Sequence, residues 1–161
     1  MLVGVMYSNN LICEILIYID ENIKNKITIE DLENKFFYNR YYIMKLFKKE
    51  IGLTIVEYIN SIRIYNSILL IKNNNSNFIN IAFKNGFYSL EYFSETFKQI
   101  TNLNPRKFKD YFFHKKSISF DDIDKINNSI VKLYEISNIK DNYLSKQKPV
   151  IAPVKKLSIF K

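Results

Sequence analysis

The sequence predicts an all-α fold, and three observations carry that prediction. Apolar residues recur at helical spacing, as in Leu11, Ile15, Ile19 and Ile23. Only three Gly and three Pro interrupt 161 residues, too few breakers for a many-turned β-sandwich. The chain also matches itself at a shift of 50 residues, and the matched stretches read as helices.

The elements follow in order. The Leu11–Ile23 pattern is an amphipathic first helix. Thr28-Ile29-Glu30-Asp31 starts a short helix, with Thr28 capping and Asp31 three residues on, and it runs to about Lys35. Tyr38-Asn39 restarts a helix that runs to about Ile51, and Gly52 suits the left-handed residue just past its end. Thr54-Ile55-Val56-Glu57 is a full capping box that opens a long helix. Its apolar face is expected from Ile55, Ile59, Ile62, Ser67 and Leu70, and it dissolves in Asn73-Asn74-Asn75-Ser76.

At the 50-residue shift, Phe37 falls on Phe87, Tyr42 on Tyr92, and Phe47 on Phe97. Lys48 falls on Lys98, Leu53 on Leu103, and Tyr58 on Phe108. The boundary residues match too: Asn39 on Ser89, Gly52 on Asn102, and Thr54 on Asn104, which precedes Pro105 at a first helical position. The repeated unit, residues 28–51 and 77–101, is a short helix, a tight turn and a longer helix. That is a helix-turn-helix, whose second helix enters the major groove of DNA. The long helix between the units would span roughly 30 Å. One turn of duplex DNA is about 34 Å, so a rigid spacer of this length suits two recognition helices in successive grooves.

Charge agrees with a polyanionic partner. The net charge is +8, and it is unevenly spread. Residues 10–34 carry two Lys against six Asp and Glu, whereas residues 35–72 carry seven Lys and Arg against two Glu. Lys98, Arg106, Lys107 and Lys109 form a second basic run. Such polarisation is expected when some helices face solvent and others face phosphate.

Other function classes find no support. The one cysteine, Cys13, lies in an apolar run and reads as a buried thiol; the one histidine, His114, cannot supply a metal cluster. There is no Gly-rich phosphate loop and no Gly-x-Ser-x-Gly elbow, so neither an enzyme nor a cofactor or metal is expected. No Lys or Arg precedes the apolar part of the N-terminus, and no run of about 18 apolar residues exists, so a cytoplasmic location is expected.

Three runs of the second unit carry a family resemblance: Ile79-x-Ile81-Ala82-Phe83-x-x-Gly86-Phe87, Tyr92-Phe93-Ser94-x-x-Phe97-Lys98 and Asn104-Pro105-x-x-Phe108. Two earlier runs add to it: Met44-x-Leu46-Phe47-Lys48-Lys49-x-x-Gly52 and Tyr58-Ile59-x-x-x-Arg63-Ile64. Together they resemble the arabinose-regulator family of bacterial transcription factors (AraC/XylS type). The resemblance implies a seven-helix domain that binds a bipartite DNA site as a single chain. The chain departs from the family's pattern at Glu33, where a small residue is usual, and at Phe37, where Gly or Asn is. It departs again at Glu95, where the family carries a basic or polar residue, and Glu91 stands nearby.

The first recognition helix is expected to expose Arg40, Tyr41, Met44, Lys45, Lys48 and Lys49 and to bury Ile43, Leu46 and Phe47. The matched positions imply base contacts from Tyr41, Met44 and Lys45. Lys45 can donate to guanine O6 or N7, and the other two can meet thymine methyls. Arg40 and Lys49 read as phosphate contacts, which position without specifying. In the same register Leu90, Glu91, Ser94 and Glu95 face the second groove, where a Glu can accept from cytosine N4. Ser89, Lys98 and Lys107 read as phosphate ligands. Phe83, Phe87, Phe93, Phe97 and Phe108 are expected in the core, Arg63 as a structural ion-pair residue, and Gly86 as a turn residue.

The expected organisation is a DNA-binding domain over residues 10–113 and a basic tail over 114–161, with ten Lys to five acids. Ser119-x-x-Asp122 would cap a helix over about 120–136, with Ile123, Ile126, Ile130 and Leu133 on one stripe, ahead of Pro149-Val150-Ile151-Ala152-Pro153. A remnant linker, a helix packed on the domain and a dimerisation stripe all stay open. The function expected is sequence-specific binding of double-stranded DNA, followed by recruitment or occlusion of RNA polymerase, with no membrane partner. Two rivals remain: a DNA-binding fragment of a longer ligand-sensing regulator, and a basic helical module acting on protein or anionic membrane.

Overall fold

The computed structural model describes residues 2–73, 77–114 and 119–146, with side chains for 10–72, 77–112, 119 and 121–146. Among these residues the chain forms nine helices and no strand. They are α1 (Leu2–Asn22), α2 (Ile29–Phe36), α3 (Arg40–Ile51), α4 (Ile55–Asn73), α5 (Phe78–Lys84), α6 (Leu90–Thr101), α7 (Pro105–His114), α8 (Phe120–Ser137) and α9 (Ile139–Lys146). No helix among them is long and apolar enough to cross a membrane. The Pro149–Pro153 segment and the His114 side chain lie outside the described residues.

Helix boundaries fall where local chemistry sets them. Thr28 and Asp31 close a reciprocal box: the Asp31 N–H donates to Thr28 Oγ1 (3.1 Å) and the Thr28 N–H to Asp31 Oδ2 (2.7 Å). Thr54 and Glu57 repeat the arrangement at the start of α4, at 3.2 and 2.7 Å. Gly52 and Asn102 end α3 and α6 in the left-handed region, at φ +81° and +63°.

Two cores form, one per unit, and α4 serves both. Its first half sends Ile55, Tyr58 and Ile59 into the first core with α1, Leu32, Ile43, Leu46 and Phe47. Its second half sends Ile64 and Ile71 into the second core with Ile81, Ala82, Phe87, Phe93, Phe97 and Phe108. The expected single stripe on α4 is therefore incomplete. Ile62 and Leu70 are only half-buried, while Tyr58, Ile64 and Ile71 are buried, because α3, α5, α6, α7 and α8 all pack on this helix. In the second core Phe93 and Phe108 both meet the Phe97 ring edge to face, at 5.6 and 5.2 Å between centroids.

The repeat holds, with one change of register. Phe47 and Phe97 are both fully buried at matching positions. Tyr42 stacks on Tyr38 (5.4 Å) and Tyr92 on Tyr88 (4.8 Å), the same pair 50 residues on. The pairing of Phe37 with Phe87 fails. Phe37 is 92% exposed at φ +59°, whereas Phe87 is 2% exposed in the core. The backbone counterpart of Phe37 is Gly86, at φ +82°. The capping residues Thr28 and Asn77 match at a shift of 49, and Asn39 and Ser89 at 50, so the second turn holds one more residue.

Two further expectations are corrected. Phe83 is 55% exposed, not core. On the seven-residue α5 the inward positions go to Ile81 and Ala82, and Phe83 lines a cleft of about 660 Å³ between the units. Arg63 is structural, but its partners are not carboxylates. Its Nε donates to the Ile23 carbonyl (2.9 Å), a terminal nitrogen donates to the Asn25 carbonyl (2.6 Å), and its guanidinium lies over the Phe87 ring. These carbonyls at the end of α1 would otherwise lack helical donors.

In the stripe of α8, Ile126 and Leu133 are buried within the chain and Ile123 and Ile130 are half-buried. Ser119 caps the helix, Ile126 and Leu133 enter the second core, and Ile136 enters the first. Within this segment, α8 packs on α4 and α6.

Candidate nucleic-acid interface

α3 divides its residues cleanly. Ile43, Leu46 and Phe47 are buried, and Arg40, Tyr41, Met44, Lys45, Lys48 and Lys49 are exposed, Tyr41 at 76% and Met44 at 49%. The sides follow from one inward stripe at i, i+3 and i+4. Asn39 fixes the start of the helix by accepting from the Tyr41 N–H at 2.9 Å.

The charged groups differ in freedom. Glu33 accepts from Arg40 three times: from its backbone N–H (3.1 Å), Nε (3.0 Å) and a terminal nitrogen (2.7 Å). Those bonds hold the Glu33 carboxyl below the usual carboxylate range. They also explain why a carboxylate replaces the small residue of the family pattern: Glu33 clamps α2 to the start of α3. Arg40 keeps donors to spare, since a guanidinium carries five. Lys48 lies 3.4 Å from Glu57 and Lys49 lies 3.6 Å from Glu50, both on the surface. Lys45 makes no ion pair among the described residues and is exposed beside Tyr41 and Met44.

α6 repeats the frame with different chemistry. Glu91 and Glu95 are exposed at the positions that Tyr41 and Lys45 hold on α3. Ser94 is half-buried. Leu90 does not face outward freely; it is half-buried against the second core. Ser89 Oγ accepts from the Tyr92 N–H at 3.1 Å, capping α6. Lys98 and Lys107 are exposed, and the Lys107 N–H donates to Asn104 Oδ1 at 2.8 Å. Sequence reasoning missed the Asn60–Tyr92 bond (2.9 Å), which ties α4 to α6. Only the 50-residue match of Tyr42 with Tyr92 pointed near it.

Two helix-turn-helix units, joined by a 19-residue helix about 28 Å long, define a double helix-turn-helix DNA-binding domain. Comparison with known proteins agrees. Residues 32–111 match the family model described as a helix-turn-helix domain. The chain is 27% identical over 103 residues to the HTH-type transcriptional activator AarP of Providencia stuartii, covering 64% of this chain and 76% of that protein. It is 32% identical over 104 residues to the transcriptional regulatory protein HptR of Staphylococcus aureus, but spans only 41% of it. Among solved structures, an AraC-type DNA-binding-domain regulator from Chromobacterium violaceum superposes with a TM-score of 0.56 at 20% identity, covering 68% of this chain and 95% of that one. The C-terminal domain of AraT, a response regulator from Geobacillus stearothermophilus, gives 0.60 at 20% identity, over 68% and 88%. The chain belongs to the AraC/XylS-type family of helix-turn-helix transcription regulators, and it is a DNA-binding regulator.

Proposed function

We propose that this regulator reads a bipartite site as a single chain, with α3 and α6 in successive major grooves, and thereby recruits or occludes RNA polymerase. No catalytic step enters this reading. The observation that carries it is the outward face of α3, where Tyr41, Met44 and Lys45 stand together over a buried Ile43, Leu46 and Phe47. Lys45 donates to guanine O6 or N7, and Tyr41 and Met44 pack on thymine methyls. Arg40 and Lys49 grip flanking phosphates, Arg40 through the donors that Glu33 leaves unused.

The second groove is read differently. Glu91 and Glu95 repel phosphate, so they are tolerated where they accept hydrogen bonds from cytosine N4 amino groups. Ser94 and the exposed part of Leu90 complete that face. Ser89, Lys98 and Lys107 supply phosphate contacts. The two half-sites therefore differ in composition, and α3 carries more of the salt-sensitive grip.

The test is a randomised-site selection on wild type and Lys45→Ala at one salt concentration. Lys45→Ala should cost about 1–3 kcal/mol at the preferred site. Preference should relax at one or two base pairs of a single half-site, and nonspecific binding should change much less. An unchanged preferred sequence with affinity lowered equally everywhere would move Lys45 to the phosphate class.

A further inference from the structure

We propose that α8 and α9 act as a strap that holds the two recognition helices at one separation and phase, so that the tolerated half-site spacing is set by residues outside the matched helix-turn-helix domain. This rests on the two-groove reading above. The family match ends at residue 111, and α8 begins at Phe120. Yet α8 lies along α4 and also touches α6. Its Ile126 and Leu133 belong to the second core and its Ile136 to the first, so one helix bridges both units. Ser129 Oγ accepts from the Asn102 side-chain amide at 3.0 Å, fixing α8 to the end of the second recognition helix. At the other end Ile139 and Tyr143 pack on the first core, and Lys140 Nζ meets Asp20 Oδ2 of α1 at 2.6 Å.

Without the strap, the units would be joined by α4, by the close approach of Gly86 to the Ile23 carbonyl and by side-chain ties such as Asn60–Tyr92. With it, rotating one unit about α4 breaks apolar contacts in both cores. DNA makes that stiffness a specificity term. One base pair added between half-sites moves the second by about 3.4 Å and about 35°, so a rigid reader loses that half-site.

The experiment compares wild type, Ile136→Ala, Lys140→Ala and the exposed control Val131→Ala. In the first arm, nitroxide labels on Lys48→Cys and Lys98→Cys report the distance between the recognition helices without DNA. Both strap variants should widen the distribution, and the control should not. In the second arm, affinity is measured on sites with half-site spacing changed by one base pair either way. Wild type should lose about tenfold or more. The strap variants should lose about threefold, with base preferences unchanged. An unwidened distribution in both variants overturns the strap, and a widened one with the wild-type spacing profile overturns its role in specificity. A wild-type profile flat in spacing overturns the two-groove reading and that specificity role together, while the label distances still judge the strap.

Discussion

Two glycines separate conformational need from close packing. Gly52 and Gly86 have nearly the same φ, +81° and +82°, yet their surroundings differ. A Cβ on Gly52 meets nothing within 4 Å, whereas one on Gly86 would stand 2.7 Å from the Ile23 carbonyl oxygen. Gly52→Ala should therefore cost about 1–2 kcal/mol, the left-handed penalty alone. Gly86→Ala should cost clearly more, because the second turn must also back away from the end of α1. Urea unfolding of both variants checks this, and equal losses would count against the close approach. Lys49 is a different kind of residue, exposed and 3.6 Å from the neighbouring Glu50. Lys49→Ala should weaken binding to all sequences alike and make the salt slope shallower by about one. Affinities measured across a range of salt test this, and a loss confined to one target sequence would contradict it.

At the scale of an element, helix starts couple stability to pH. Asp31 accepts hydrogen bonds from the Thr28 hydroxyl and N–H, and those bonds hold its pKa below the ordinary value. Glu57 is lowered in the same way by Thr54, and Glu33 by Arg40. A depressed folded pKa means the contribution is complete above the unfolded value, about 4, and is lost as pH falls through the folded one. The melting temperature should therefore drop as pH goes from about 5 to below 4. Thr28→Ala should melt lower at neutral pH and lose less on acidification, since its Asp31 titrates nearer the ordinary value. Thermal melts across that range decide it, and parallel curves for variant and wild type would show that the Thr28 hydroxyl contributes nothing to the pH dependence. These caps were legible in the sequence because they are local: donor and acceptor lie three residues apart. The turn of the second unit was not. Its additional residue emerges only when Gly86 and Phe37 are compared as left-handed residues, a property of backbone geometry that residue identity hides.

At the scale of the molecule, α8 belongs to the fold. Ile126 is fully buried in the second core, while Val131 on the same helix is 57% exposed. Ile126→Ala should cost about 2–5 kcal/mol, and Val131→Ala should stay within about 0.5 kcal/mol. Unfolding should remain a single transition in both. A near-neutral Ile126→Ala would mean that α8 adds little to the core. By itself, the sequence determined the helices up to α8, though not α9, and with them their caps, the repeated unit and the outward face of α3. Each of these depends on spacings of a few residues or on one inward stripe. Only the tertiary structure decided where Arg63, Phe83, Leu90 and the α8 stripe go. Arg63 finds carbonyls some 40 residues away, Phe83 is left at a cleft once Ile81 and Ala82 take the core, and α8 covers a surface that α4 and α6 create together. Such placements depend on which surfaces meet after the helices have formed, and a pattern along one chain does not hold that information.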